Sequence, residues 1–152
     1  GIQEKEDANQ IIANTYVRKE KYAEALVYLE NARVLAPNDP NLLISFASLY
    51  NKKGDYSQAK ENAQKAIDRD PLKTVAYQSL AYSFLMEKNY AQAEEKALKG
   101  LEVIDKDPSL LISNKPYYRQ QLNYTLADVY VAQGNREKET QYRKAGDGAK
   151  IN

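Results

Sequence analysis

The stretch GDYSQAKENAQKAIDRDP, residues 54–71, sets a glycine before an aspartate and a tyrosine, then spaces Ala59, Ala63 and Ala66 along an otherwise charged run. Leucine or isoleucine is the usual choice for the buried side of such a helix. The alanines make sense when the chain is compared with itself at a step of 34 residues. At that step Ile12, Phe46 and Leu80 coincide, as do Ala13, Ala47 and Ala81, and Tyr16, Tyr50 and Phe84. Tyr22, Tyr56 and Tyr90 follow, then Ala25, Ala59 and Ala93, then Ala32, Ala66 and Gly100, while Pro37 pairs with Pro71. One amphipathic helix arises easily by chance; seven columns in one register do not.

Each unit reads as two helices. In the second, Asp39 is the expected N-cap, with Pro40 at the first helical position, where its missing N–H costs nothing. That helix runs to Lys53; Gly54 supplies the left-handed residue that ends it, and Asp55 caps a second helix reaching about Asp68. Asp70-Pro71 is expected to repeat the start signal of Asp39-Pro40. Small residues at Ala47, Ala59 and Ala66 let two antiparallel helices approach closely, and Tyr50 and Tyr56 fill the space around them.

The pattern resembles the tetratricopeptide repeat family, whose unit is a helix-turn-helix of the same length. Residues 6–39, 40–73 and 74–107 are three units; the second is the most complete, with Phe46-Ala47, Tyr50, Gly54-Asp55-Tyr56, Ala59, Ala66 and Pro71. The first has Glu20-Lys21 where Gly-Asp is usual, and the third has Gly100 for alanine and Asp105 for the closing proline. A degenerate fourth unit and cap, 120–145, shows in Leu126-Ala127, Tyr130 and Gly134-Asn135, displaced by an insertion of about 108–119. Either the second helix of the third unit extends and a loop follows, or Pro116 starts a long first helix reaching Gln133, and both are expected in part; Leu110, Leu111 and Ile112 are expected to lie against the array, with a partner contact as the alternative. The tail 146–152 is expected to fray. The resemblance thus implies an all-α fold, a right-handed superhelical solenoid of about four antiparallel helix pairs in one array.

As a class, such arrays are interaction modules in which the first helices of successive units line a concave groove for a peptide or a partner's helix. The resemblance places Asn14 and Arg18, Ser48, Asn51 and Lys52, Gln78, Tyr82 and Met86, and Gln121, Tyr124 and Asp128 on that face, with Ile44 and Val75 beside them. Amides suit a ligand's backbone, and Tyr82, Tyr124 and Met86 offer adaptable apolar contact. Chaperone-binding members of the family hold an acidic C-terminal tail with two lysines, two asparagines and an arginine. Of those positions only Asn14 matches; Gln10, Ser45, Val75 and Ser79 occupy the rest, which argues against that role.

Composition narrows the alternatives. With 22 basic and 21 acidic residues the chain lacks a field that draws nucleic acid, and its 13 tyrosines fall partly in the core columns, so neither nucleic-acid binding nor membrane insertion is expected. Histidine and cysteine are both absent, removing imidazole bases, thiol nucleophiles and the usual zinc ligands. No phosphate loop or nucleophile elbow is present, so the chain reads as non-catalytic, without metal or cofactor. The expected partner is a protein or peptide and the expected state a monomer. The alternative is a structural assembly unit that self-associates through its solenoid ends or groove into a homo-oligomer. Abundant Lys, Asn, Tyr and Ile point to an A/T-rich bacterial genome but to no compartment, and an opening at Gly1-Ile2 leaves room for a leader or a larger parent.

If the alanine columns are the packing seam, Ala59→Leu should overpack it and lower stability by about 1–3 kcal/mol. Urea unfolding measures this, and an unchanged midpoint would show that the seam lies elsewhere.

Overall fold

The computed structural model describes residues 1–148, and among these it holds eight α-helices and no strand. They are α1 (Ile2–Arg18), α2 (Tyr22–Leu35), α3 (Pro40–Lys53), α4 (Tyr56–Arg69), α5 (Thr74–Met86), α6 (Tyr90–Val103), α7 (Lys115–Ala132) and α8 (Arg136–Gly148). A short 3-10 turn, Ile112–Asn114, precedes α7. The helices pair as α1 with α2, α3 with α4, α5 with α6 and α7 with α8, and each second helix packs on the first helix of the next pair. The first helices also touch in succession, α1 to α3 to α5 to α7, which makes them one wall of the array.

Local chemistry sets these boundaries. The Asp39 carboxylate accepts from the Leu42 N–H at 3.0 Å, with Pro40 in the first turn of α3, and the Asp55 carboxylate accepts from the Gln58 N–H at 3.2 Å to start α4. The link between the helices of each pair passes through one left-handed residue, with φ of 58° at Glu20, 79° at Gly54, 61° at Lys88 and 71° at Gly134. Only two of the four are glycine; a side chain there costs roughly 1–2 kcal/mol, which tertiary packing of the pair offsets. Asp70-Pro71, in contrast, does not start a helix. The Asp70 carboxylate accepts from the Leu72 N–H in the turn after α4, and α5 begins at Thr74. A step of 34 from Asp39-Pro40 lands on Lys73-Thr74, so Asp70-Pro71 occupies the place of the unit-closing proline.

The seam follows the alanine columns. Ala13, Ala47 and Ala81, Ala25, Ala59 and Ala93, and Ala32 and Ala66 are all at 0 % exposure. Gly100 completes the last column because a Cβ there would lie 2.8 Å from a methyl of Leu122 and 3.3 Å from Cβ of Tyr77. Larger residues fill the remaining volume: Leu29, Leu42, Phe46 and Leu49 between the first two pairs, Tyr77 and Leu80 further on, and Leu122, Leu126 and Tyr130 against α6 and α8. The matching Ile12 is the exception in its column and is 37 % exposed.

Two expectations about the irregular segments change. Leu111 and Ile112 do not cover the array; they are 67 % and 82 % exposed, and only Leu110 is half-buried. The insertion is anchored by polar contacts instead. Arg119 donates to the Asp105 carboxylate, Lys115 to the Asp105 carbonyl, and the Asp107 carboxylate accepts from the Thr74 N–H at 2.9 Å. At the other end, α8 does not fray at Gly146 but continues to Gly148, since buried Gly146 lets the Tyr124 ring lie against the helix. Residues 149–152 of the expected tail lie outside the described residues.

Asp107, at the end of the same unit, therefore caps α5, where Lys73 has no acceptor to offer. Burial works against its charge, but hydrogen bonds from the Ser109 hydroxyl and from the Thr74 and Ser109 N–H groups outweigh it and hold the carboxyl below the usual aspartate range. Asp107→Ala should lower stability by about 1–2 kcal/mol at pH 7. A lowered folded-state pKa gives stability that is complete above the unfolded value of about 3.9 and is lost as pH falls through the folded value. The gap between wild type and variant in a thermal or urea series should thus narrow in acid, and a gap independent of pH would contradict the ionised cap.

Candidate partner-binding groove

The wall of first helices encloses a cleft of about 500 Å³. From α3 it takes Ile44, Ser48, Asn51 and Lys52, with Lys53 and Gly54 at the helix end and Tyr56 at the start of α4. From α5 it takes Val75, Gln78, Ser79 and Tyr82, and from α7 Tyr117, Tyr118 and Gln121. Six of the residues expected on the concave face, Ser48, Asn51, Lys52, Gln78, Tyr82 and Gln121, are thus brought together. The other five lie elsewhere. Asn14 and Arg18 are on the exposed face of α1, where Arg18 donates to Thr15, and Met86 is exposed beyond the cleft at the end of α5. Tyr124 turns to α8, with its hydroxyl donating to the Asp147 carboxylate at 2.6 Å, and Asp128 pairs with Arg143 at 3.5 Å. The last helix therefore occupies the residues that would have extended the groove along α7.

Aromatic rings shape the walls. Tyr82 meets Tyr56 edge to face at 6.4 Å, and Tyr117 meets Tyr118 in the same manner at 5.1 Å. Burial, with the neighbouring phenol adding to it, pushes the Tyr82 and Tyr118 hydroxyls above the ordinary tyrosine range, so both are neutral donors. Tyr117 and Tyr118 are absent from the expected site because the family register starts the fourth unit after them. The extra turn at the start of α7 is what carries them in, and the PYY run at 116–118 was the available signal. Lys52 and Lys53 are the charged residues of the lining, which includes no carboxylate.

Asn51 does not serve the cleft as expected. Its amide NH2 donates to the Ser79 carbonyl at 3.1 Å and hydroxyl at 2.9 Å, while its carbonyl accepts from the Ser83 hydroxyl at 2.7 Å. The side chain is committed to joining α3 to α5. Gln78 and Gln121 are the cleft's amides without such ties between helices. Near α1 a second polar cluster forms: Gln10 donates to Glu6 and Asp39, and Ser45 to Gln10. Glu6 is 2 % exposed, and its burial beside Asp39 raises its pKa above the ordinary glutamate range.

Among the described residues no helix is long and apolar enough to cross a membrane, and no group of acidic side chains could hold a metal ion. The architecture is that of a helical-repeat solenoid with a concave inner wall. Residues 16–80 match the tetratricopeptide repeat family, and the array is one of about four tetratricopeptide repeats. The chain resembles Hsp70-Hsp90 organizing proteins 3 and 2 of Arabidopsis thaliana, with 31 % identity over 99 residues and 32 % over 90. These matches take in 64 % and 59 % of this chain but only 18 % and 16 % of those proteins. Among solved structures, the Sgt2 TPR domain of Aspergillus fumigatus aligns over 97 % of this chain and 85 % of its own, with a TM-score of 0.66 and 21 % identity. A thermophilic TPR protein of Thermus thermophilus aligns over 95 % and 74 %, with a TM-score of 0.70 and 21 % identity. Both likenesses are of fold. The family and the relatives support a role in protein–protein interaction.

Because Asn51 bridges two units, Asn51→Ala strands the Ser79 hydroxyl, leaves that of Ser83 only the Ser79 carbonyl, and should cost about 1–3 kcal/mol of stability. Gln78→Ala, at a cleft position without such a tie, should leave the unfolding midpoint nearly unchanged. Equal midpoints for the two variants would return Asn51 to the ligand-binding set.

Proposed function

We infer that the cleft between α3, α5 and α7 holds an extended segment of a protein partner, making the chain a non-catalytic binding module or scaffold. The observation that carries this reading is the convergence of Tyr56, Tyr82, Tyr117 and Tyr118 with the amides of Gln78 and Gln121 around one concave space. Aromatic rings supply contact area at low entropic cost, and free amides both donate to and accept from a peptide backbone. Lys52 and Lys53 without a facing carboxylate favour a segment that is neutral or acidic over a basic one.

The relatives' names raise the chaperone-organizing role as a second reading, and the residues oppose it. Of the positions that hold a chaperone tail in the family, Ser45 donates to Gln10, which itself donates to Glu6 and Asp39. Val75 and Ser79 bring no cation to the remaining positions. A terminal carboxylate would meet buried acid at that end of the wall rather than lysine.

Affinity capture followed by mapping of the bound segment supplies the ligand for a direct test by titration calorimetry. Tyr82→Ala and Tyr118→Ala should each weaken it by about 2 kcal/mol, roughly 30-fold, as aromatic anchors do. Asn14→Ala and Met86→Ala, outside the cleft, should change it by less than about 0.5 kcal/mol. A mapped partner indifferent to both tyrosine variants would move the site to the convex face or to the exposed Leu111 and Ile112.

A further inference from the structure

The cleft is polarised from one lip to the other. It crosses the wall obliquely, reaching the last turn of α3 but only the first two turns of α7, with α5 between them. The α3 lip is cationic, with Lys52 and Lys53, and the α7 lip is phenolic, with Tyr117 and Tyr118. Lys52 is exposed and meets neither a carboxylate nor a ring among the described residues, while Lys53 lies over the Tyr50 ring at 5.9 Å. The end of α3 carries about half a negative charge, so two ammonium groups there leave the lip positive. Acids nearby in the chain are engaged elsewhere: Asp55 accepts from the Gln58 N–H, and Glu87 pairs with Lys60. The phenols bear this out. Beyond burial, Tyr50, Tyr77 and Tyr130 are pushed up by the carboxylates of Glu30, Glu102 and Glu94, whereas Tyr82 and Tyr118 are pushed up by burial and a second phenol alone.

We propose that the cleft selects a two-point pattern within an extended protein segment: an aspartate or glutamate side chain against the Lys52 lip, and an aromatic or large aliphatic residue against the Tyr118 lip. This rests on the cleft being the binding site. Two helix spacings separate α3 from α7, about 16–20 Å between axes, and an extended chain rises about 3.3 Å per residue, so the two side chains stand about four to six residues apart. Gln78 lies on α5 between the lips, and Gln121 beside the phenols, where both reach the backbone of such a segment. The acid is a side chain within the segment. A chain-end carboxylate has no special place here, because Lys52 and Lys53 lie outside the positions that hold one in the family, and those positions bring no cation.

A library of random decapeptides, acetylated and amidated at its ends, is selected on the immobilised 152-residue chain, and the enriched sequences are titrated by fluorescence polarisation. The expected peptides pair an acid with a large apolar residue at the stated spacing. The double variant Lys52→Glu/Lys53→Glu should weaken them about tenfold with circular dichroism unchanged, and exchanging their acid for lysine should restore binding to that variant. Lys52→Gln, the milder change, should weaken them less and flatten their salt dependence. Tyr118→Ala should weaken them whichever charge they carry. Peptides that depend on Tyr82 and Tyr118 but show no acid, or whose charge exchange fails to restore binding, overturn the proposal and leave the cleft as the binding site. Enrichment only from a library with free C-terminal carboxylates overturns it too. Peptides indifferent to both tyrosine variants, or no enrichment from either library, overturn the cleft reading along with it.

Discussion

Close approach of helices at the alanine columns is the constraint from which the rest of the array follows. With Ala13, Ala25, Ala47, Ala59, Ala81 and Ala93 fully buried, the backbones within each pair come near enough that no larger side chain fits between them. The apolar surface that the alanines do not provide must come from neighbouring positions, and Leu29, Leu49, Leu80, Leu122 and Leu126 supply it between pairs. Stability consequently resides in the stacking of one unit on the next, because an isolated pair would leave those leucines in water. Gly100 shows the same constraint from the other side: where Leu122 and Tyr77 press hardest, even a methyl group is excluded.

Polar groups fix how the units stack. Asn51 with Ser79 and Ser83, and Gln10 with Ser45, cross from one unit to the next, while Asp107 ties the end of the third unit to its start at Thr74 and to Ser109 beyond it. Such bonds add little net free energy, yet a register slip would leave their buried members unpaired at a cost of a few kcal/mol. The apolar seam tolerates sliding in a way these pairs do not. Glu6 carries the least favourable of these environments, since burial and the neighbouring Asp39 raise the pKa of its carboxylate above the ordinary range.

The repeat was legible because its signals are local and periodic. Caps at Asp39 and Asp55, the left-handed Gly54 and the alanine columns each depend on a few neighbouring residues. What escaped reading depends on contacts distant in sequence. Asp70-Pro71 resembled a helix start because the dipeptide is the same as Asp39-Pro40, although the cap of α5 arrives from Asp107. Register alone placed six of the eleven expected residues along the cleft. Tyr124 and Asp128 were lost to α8, whose hold on them requires the pairing of Gly146 with an aromatic ring across two helices. Leu111 and Ile112 were expected to be covered because they are apolar, but Asp105 and Asp107 had already tied the segment down in an orientation that turns them outward.

The insertion and the groove are one structural event. Lengthening the link after α6 allows α7 to begin about a turn earlier in the repeat register than α3 and α5, at Lys115, with Pro116 suited to that first turn. The added turn carries Tyr117 and Tyr118 to the cleft, opposite Lys52 and Tyr56, and so closes a wall that three regular units would leave open. At the same time α8 draws Tyr124 and Asp128 away from the concave side, ending the groove at Gln121. The cleft is therefore short and aromatic at its far end rather than a continuous channel along all four units. Its reach is set by the irregular part of the chain, while the regular part supplies only the rigid wall behind it.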